Sequence, residues 1–194
     1  MTRRGFLRRS LSLAIGASVV AALPIESALA NIPPRHRDWR AVILDRDRWL
    51  HLKRASTGES GIFRYYVQGF GWEARGYAAA CHLLRDVEDK VTVQMDKRLI
   101  DLLFIIQAWC RINKLPYVIT INSGYRTPSH NSRLRRSAKR SQHMQGTAAD
   151  IKIEGLSTAD LKRLALAIGV GGVGIYPRDG FVHVDVGKVR TWVG

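Results

Sequence analysis

The stretch VGIYPRDGFVHVDV, residues 173–186, predicts two short β-strands joined by a tight turn. β-Branched and aromatic residues fill Val173–Tyr176 and Phe181–Val186, whereas the intervening Pro177–Gly180 carries proline, aspartate and glycine, which favour turns. One histidine and one aspartate interrupt the apolar second strand. This stretch therefore indicates a sheet and places two chemically active groups on it.

Outward from this stretch, strand-like and helix-like segments occur in runs, without a regular βαβ alternation. Asp96 and Ser157 are suitable N-cap residues before segments with apolar residues at helical spacing. Strands are predicted at residues 42–44, 49–53, 62–67, 117–121 and 147–153, and helices at 73–85, 97–113 and 158–168. We therefore predict a single α+β domain in which helices pack on one side of a mostly antiparallel sheet.

Residues 1–30 have the form of a twin-arginine export signal. The pair Arg3-Arg4 precedes an apolar stretch at residues 11–25, and Ala28-Leu29-Ala30 has the small-x-small pattern of a signal peptidase site. The apolar stretch is shorter than the roughly 20 residues that span a bilayer as a helix. We expect export to the periplasm by the twin-arginine pathway and cleavage after Ala30, with an uncleaved N-terminal anchor as the alternative.

The chain after this signal is long enough for one domain with its own core. We expect an extended tail and lead-in strand at residues 31–48 and the domain itself at residues 49–194, with no membrane span after cleavage. Cys81 and Cys110 lie in apolar helical segments, so a disulfide and two buried free thiols are both open.

The whole chain has a formal net charge of +15 at pH 7, and the predicted signal contributes four arginines and one glutamate to it. The mature chain is therefore basic, which favours an anionic partner such as nucleic acid, lipid head groups or the acidic cell wall. Export argues against nucleic acid, and the aromatic stacking motifs of RNA-binding sheets are absent from the sequence. The alternative is that the charge only keeps the protein soluble.

Two histidines and an aspartate form a possible metal-binding set. His143 and Asp150 are seven residues apart with Gly146 between them to turn the chain, and His183 lies on the apolar strand. Two imidazoles and one carboxylate suit a catalytic zinc site at strand ends, which keeps a fourth position open. Singly, such a histidine is more often a hydrogen-bonded core residue, but the combination favours a metal.

The motifs around these residues resemble those of a known enzyme group. The pattern S-x-H-x-x-G-x-A-x-D at residues 141–150 is preceded by S-G-Y-R-T at 123–127 and followed by F-V-H-x-D at 181–185. Together they are similar to the zinc metallopeptidases that include D-Ala-D-Ala carboxypeptidases and murein endopeptidases, in a wider group with lysostaphin-type enzymes and the Hedgehog signalling domain. The likeness runs from about Leu50 to Trp192 and is strongest to the small exported murein endopeptidases.

This resemblance implies roles for several residues. His143, Asp150 and His183 would bind Zn²⁺. Arg126 would face the metal and bind either a substrate carboxylate or the developing oxyanion, with its fixed planar donors. Substrate binding is expected to involve Ser123, Tyr125, Arg126 and Gln142, the first two by shaping the pocket and Gln142 by flanking the first ligand.

The general base is not evident from the motifs. D-Ala-D-Ala dipeptidase relatives carry a glutamate three residues before the last histidine, and this chain has Gly180 there. Asp185 is the leading candidate. Residues two apart on a strand point to the same face of the sheet, so the Asp185 carboxylate should lie on the same side as the His183 ring. The alternative role for Asp185 is to orient a ligand histidine by a hydrogen bond. Asp179, in the preceding turn, is the second candidate.

The sequence therefore predicts a monomeric, zinc-dependent peptidoglycan endopeptidase that hydrolyses cross-links between stem peptides. Two alternatives stay open. One is a D,D- or L,D-carboxypeptidase that trims stem peptides. The other is a non-catalytic, zinc-containing module that binds the cell wall.

Overall fold

The computed structural model describes residues 38–135 and 137–194. The predicted export signal at residues 1–30 and most of the predicted tail lie outside the described residues. Within the described ranges, no helix combines the length and the apolar character needed to cross a membrane.

Helices and strands alternate in runs along the described chain, as the sequence predicts. In chain order the elements are α1 Trp39–Leu44, β1 Arg48–Arg54, β2 Ser60–Val67, β3 Gly71–Trp72, α2 Ala74–Leu83, α3 Lys97–Ile112, β4 Ile119–Ser123, α4 Pro128–Arg133, a 3₁₀ turn Gln142–Gln145, β5 Ala148–Ile153, α5 Thr158–Ile168, β6 Gly172–Tyr176, β7 Phe181–Asp185 and β8 Arg190–Val193. Asp96 and Ser157 cap α3 and α5, as predicted.

The strands form one mixed sheet in the order β3-β2-β1-β4-β5-β7-β6-β8. Five of its seven neighbouring pairs are antiparallel, and the pairs β1/β4 and β6/β8 are parallel. The α+β class and the mostly antiparallel sheet are therefore confirmed. The packing of the helices on one side stays a prediction.

The predicted lead-in strand at residues 42–44 is wrong, because these residues belong to helix α1. Asp38 caps that helix by accepting a hydrogen bond from the Arg40 backbone N–H at 3.1 Å. Ile43 is buried in the core, and Trp39, four residues earlier, packs against the same core. A short apolar run does not distinguish a strand from a buried helical turn. Here the N-cap residue Asp38 favours the helix.

Helix α3 supplies much of the core and also completes strand β1. Almost every residue from Leu99 to Cys110 is buried, so this helix is covered on nearly all sides. Its Gln107 accepts a hydrogen bond from the His51 backbone N–H at 2.8 Å and donates one to the Trp49 carbonyl at 3.1 Å. These bonds satisfy the part of β1 that precedes its pairing with β4, which begins at Leu52.

The two cysteines are buried free thiols. Of the two alternatives open from the sequence, the structure therefore has the free thiols. Burial raises the pKa of the Cys110 thiol to about 12, which makes this thiol unreactive near neutral pH.

Candidate metal centre and active site

One row of residues crosses the middle of the sheet and carries the candidate site. Strand register places Ser123 of β4 opposite Asp150 of β5, and Asp150 opposite His183 of β7. The same row continues through Gly174 of β6 to Trp192 of β8. Residues that are far apart in sequence are therefore neighbours because of strand pairing alone.

His143 joins this row from the 3₁₀ turn before β5. The Ser141 hydroxyl caps that turn by accepting the His143 backbone N–H at 3.3 Å, and Gly146 ends it in a left-handed conformation with φ of 68°. The His143 Nδ1 lies 2.6 Å from the carbonyl oxygen of Gly124, so Nδ1 carries the proton and Nε2 is free to bind a metal. The ring is thus oriented by the loop that carries the S-G-Y-R motif.

Three potential ligand atoms form a compact triangle. His143 Nε2 lies 3.2 Å from His183 Nδ1 and 3.2 Å from Asp150 Oδ1, and His183 Nδ1 lies 2.9 Å from Asp150 Oδ1. A tetrahedral ion with bonds of roughly 2.0–2.1 Å has ligand atoms about 3.3 Å apart, so the triangle has the size that such an ion needs. All three side chains are buried, and they form the one group of this kind among the described residues.

The electrostatics of Asp150 and His143 also suit ligands, whereas those of His183 are set by its two aspartate neighbours. Burial alone would raise the pKa of Asp150, but His143 and His183 outweigh burial and hold the pKa of this carboxyl well below its usual range. Burial lowers the pKa of His143, which keeps its imidazole neutral and able to coordinate. Burial acts the same way on His183, but hydrogen bonds to Asp150 and Asp185 outweigh it and raise the pKa of His183.

Arg126 holds the second oxygen of Asp150. Its Nη2 donates to Asp150 Oδ2 at 2.7 Å, and its Nε donates to the Ser123 hydroxyl at 2.8 Å. The Arg126 backbone N–H donates to the His143 carbonyl at 3.2 Å, which ties the arginine loop to the 3₁₀ turn that carries His143. Arg126 therefore lies at the predicted site, with Ser123 behind it as a support.

Asp185 lies on the other side of His183. Its Oδ2 is 3.0 Å from His183 Nε2, the ring nitrogen that does not face Asp150. Its Oδ1 accepts the backbone N–H groups of Gly172 and Gly187 at 3.0 and 2.8 Å, and Arg190 donates to Oδ2 at 2.7 Å. The residue is 0% exposed. This geometry favours the orienting role over that of general base.

The pKa of Asp185 points the same way. Burial alone would raise it, but the hydrogen bonds from His183, Arg190 and two backbone N–H groups outweigh burial and hold it well below the usual range. A carboxylate that is so strongly stabilised in its charged form is a weak proton acceptor.

A cavity of about 710 Å³ has all three residues of the triangle on its lining. Tyr176 and Phe181 stack at 4.5 Å on its lining, and Trp192 donates its indole N–H to the Tyr176 hydroxyl at 3.0 Å. The Trp192 ring also lies 5.1 Å from the His183 ring. A Cβ atom on Gly174 would come within 2.4 Å of the indole, so the glycine leaves the room that the Trp192 ring needs beside His183.

The structure places the other predicted site residues unequally. Gln142 and Asp179 line the cavity together with Arg126. Tyr125 does not, because its ring packs against the hydrophobic core, and its expected role in substrate binding has no support from this position. The residues that sequence reasoning missed are Trp192, Tyr176 and Arg190, although all three lie within the stretch over which the family likeness runs.

A further missed group fixes the loop that carries Arg126. Buried Asp86 accepts the Thr127 backbone N–H at 2.8 Å, and its Oδ1 lies 2.9 Å from His130 Nδ1. Thr127 caps α4, so one carboxylate restrains both the loop and the start of the helix. No sequence pattern links residue 86 to residue 127, because only the fold brings them together.

Known proteins with similar sequences share one name. The chain is 38% identical over 151 residues to the peptidoglycan L,D-endopeptidase MepK of Escherichia coli K12, which covers 76% of this chain and 81% of that protein. The Shigella flexneri protein of that name matches equally. The probable peptidoglycan L,D-endopeptidase MepK of Haemophilus influenzae is 34% identical over 160 residues, covering 77% of this chain and 81% of its own length.

No solved structure matches the chain significantly. The family model described as peptidoglycan L,D-endopeptidase MepK matches residues 43–192, which include every residue of the row and of the triangle. The chain therefore belongs to this branch of the M15 peptidases, the peptidoglycan L,D-endopeptidase MepK family.

Proposed function

We propose that this protein is a zinc-dependent peptidoglycan endopeptidase that hydrolyses L,D bonds in the cross-links between stem peptides. The observation that carries this proposal is the triangle of His143 Nε2, Asp150 Oδ1 and His183 Nδ1, with sides of 2.9–3.2 Å, on the lining of the cavity. The choice of the L,D bond rests on the names of the relatives.

His143, Asp150 and His183 would hold the zinc ion. Bound there, zinc would supply Lewis acidity that activates water and polarises a carbonyl near neutral pH. The nitrogen, nitrogen and oxygen donor set favours zinc over calcium or magnesium, which prefer oxygen ligands.

Arg126 would serve both the metal site and the substrate. The bond from its Nη2 to Asp150 holds that carboxylate in its orientation toward the two histidines. Its remaining guanidinium donors belong to the cavity lining, where they can stabilise negative charge that develops on the scissile carbonyl oxygen. Gln142 lies beside it on the lining as a further polar contact for the peptide.

Asp179 is our candidate for the proton acceptor, and Asp185 for the residue that orients His183. Among the described residues, Asp150 and Asp179 are the acidic side chains on the cavity lining, and Asp150 is engaged with the triangle and with Arg126. Asp179 is exposed in the turn between β6 and β7, so it can meet a bound peptide. Proton transfer needs such a group within hydrogen-bond reach of the reacting atoms.

The names of the relatives favour cross-link cleavage over trimming of a chain end. A substrate outside the cytoplasm also agrees with the export signal expected at residues 1–30, and we propose the twin-arginine route for it.

The test uses purified, cross-linked peptidoglycan dimers with either an L,D or a D,D bond. We expect the protein to split the L,D dimer into monomers, to stop with a chelator and to resume with added zinc, as followed by liquid chromatography and mass spectrometry. The His143→Ala variant should neither retain zinc nor cleave the dimer. The matched control is His82→Ala, at an exposed histidine. This variant should retain zinc and cleave the dimer.

Other results would contradict the proposal. Cleavage of the D,D dimer alone would reject the bond assignment. Release of terminal residues from intact dimers would identify a carboxypeptidase. Intact dimers in the presence of protein-bound zinc would favour the wall-binding module.

A further inference from the structure

Two of the arginines on the cavity lining are already bound to buried carboxylates. Arg126 donates to Asp150 and Arg190 donates to Asp185, each at 2.7 Å. Arg190 also lies over the Trp192 ring, at 4.9 Å from its centroid. The guanidinium groups of both residues therefore serve the metal site and its surroundings.

Two more arginines on the lining have no such task. Arg135 and Arg140 lie in the segment between α4 and the 3₁₀ turn, and both are exposed. Within residues 38–135 and 137–194, neither side chain has a hydrogen-bond or ion-pair partner. Counted over the described residues, the lining thus carries four arginines and two aspartates, and a divalent metal ion would add further positive charge.

A peptide substrate offers a matching anion close to the reacting bond. In the residue that supplies the nitrogen of the scissile amide, the carbon atom bonded to that nitrogen also carries a carboxyl group. When that carboxyl group is free, the anion lies only two bonds from the amide nitrogen. Guanidinium groups pair with carboxylates through two parallel hydrogen bonds, and an exposed arginine loses little hydration in doing so.

We propose that Arg135 and Arg140 form a carboxylate-binding subsite for the leaving-group residue of the cross-link. This inference rests on the proposed function and deepens it. The subsite makes the enzyme prefer cross-links with a free carboxylate over cross-links in which that carboxylate is a primary amide. The amide has nearly the same shape but no charge, so the preference arises from electrostatics and not from fit.

The experiment compares two L,D dimers that differ only in this group, free carboxylate or primary amide. The parent protein should cleave the free acid with the higher kcat/KM. In the double variant Arg135→Gln/Arg140→Gln, kcat/KM for the free acid should fall about fivefold to tenfold, mainly through KM, since exposed charge pairs contribute modestly. For the amidated dimer it should change by less than about twofold.

The matched control is Arg75→Gln, which removes one charge from an exposed position of α2 away from the cavity and should leave both rates unchanged. Zinc content should be the same in all variants. Equal rates on the two dimers in the parent, or an unchanged preference in the double variant, would overturn the subsite.

Failure of the proposed function has a different signature. If the parent cleaves neither dimer, that function is rejected, and titration calorimetry with the two dimers then decides the subsite separately. Tighter binding of the free acid that is lost in the double variant supports the subsite. Equal affinities reject it.

Discussion

His183 has an aspartate beside each of its ring nitrogens, and the surroundings of the two aspartates differ. Asp150 Oδ1 lies 2.9 Å from Nδ1, and Asp185 Oδ2 lies 3.0 Å from Nε2. Each carboxylate also receives an arginine donor at 2.7 Å, Asp150 from Arg126 and Asp185 from Arg190. To this extent the two sides of the histidine are alike.

The remaining neighbours separate the two roles. Asp185 accepts two backbone N–H groups and is sealed from solvent, so its lone pairs are occupied by donors. In the described part of the chain, Asp150 accepts no backbone N–H through its carboxylate, and its Oδ1 faces the ring nitrogens of both histidines at the base of the cavity. A carboxylate surrounded by donors orients its neighbour, whereas one that faces other ligand atoms is suited to a metal.

The largest effect is expected from removing the charge of Asp150. The Asp150→Asn variant keeps the shape of the side chain but loses the anionic ligand, so zinc should no longer be retained in stoichiometric amount. We expect kcat/KM to fall by more than about a thousandfold, because the chemistry depends on the metal. Metal content and dimer cleavage check this, with the exposed Asp45→Asn as the matched control. Retention of zinc by Asp150→Asn would contradict the ligand assignment.

The next largest effect is expected at Asp179, which lines the cavity without contacting the triangle. If Asp179 accepts the proton, Asp179→Asn should lower kcat about a hundredfold while KM and zinc content stay nearly unchanged. The Asp179→Glu variant should recover part of the rate, since it restores a carboxylate. An unchanged kcat in Asp179→Asn would reject this role.

A smaller effect on the rate is expected at Asp185, and a larger one on metal affinity. The Asp185→Asn variant should weaken zinc binding about tenfold to a hundredfold, because His183 loses the carboxylate that orients it. At saturating zinc, kcat should fall by less than about tenfold. Zinc affinity from chelator competition, measured beside kcat, separates the two roles. Unchanged affinity with a large loss of kcat would make Asp185 the base after all.

The fold was predictable where local signals agree with tertiary packing. The turn Pro177–Gly180, the N-caps Asp96 and Ser157, and the apolar strands gave elements within a few residues of those observed. The helix α1 was missed because six residues with apolar and charged types fit either state. Strand β8 was also missed, since it is short and only its parallel pairing with β6 defines it.

The site was predictable in part for a related reason. His143, Asp150 and His183 are marked by residue type and motif, and the structure brings them together. The residues that contact each of these three side chains are not evident from the sequence, because the contacts depend on strand register. Asp185 faces Gly172 and Arg190 rather than the cavity, and a Cβ on Gly172 would come within 2.6 Å of its carboxylate. The absence of a side chain at Gly172 permits this close contact. The contact itself can be recognised only from the order of the strands in the sheet.

Asp86 extends the comparison to a third carboxylate paired with a histidine, this time outside the cavity. Burial alone would raise its pKa, but backbone N–H groups of Thr127 and Asp89 and the ring of His130 outweigh burial and lower it. Because the folded-state pKa is below the unfolded value, the charged form stabilises the fold above a pH of about 4, and this contribution disappears as the pH falls through the folded-state pKa. Asp86→Asn should therefore lower the free energy of unfolding by about 2 kcal/mol at pH 7.

In acid the two proteins should converge, because the parent loses the contribution that the variant never had. Urea unfolding at pH 7 and at successively lower pH measures both the difference and its disappearance. Activity at pH 7 should change by only a few-fold, since Asp86 reaches the site only through the backbone of Thr127, next to Arg126. A constant difference in stability across this pH range would mean that the charge of Asp86 has no part in holding the loop, and that its shape alone does so.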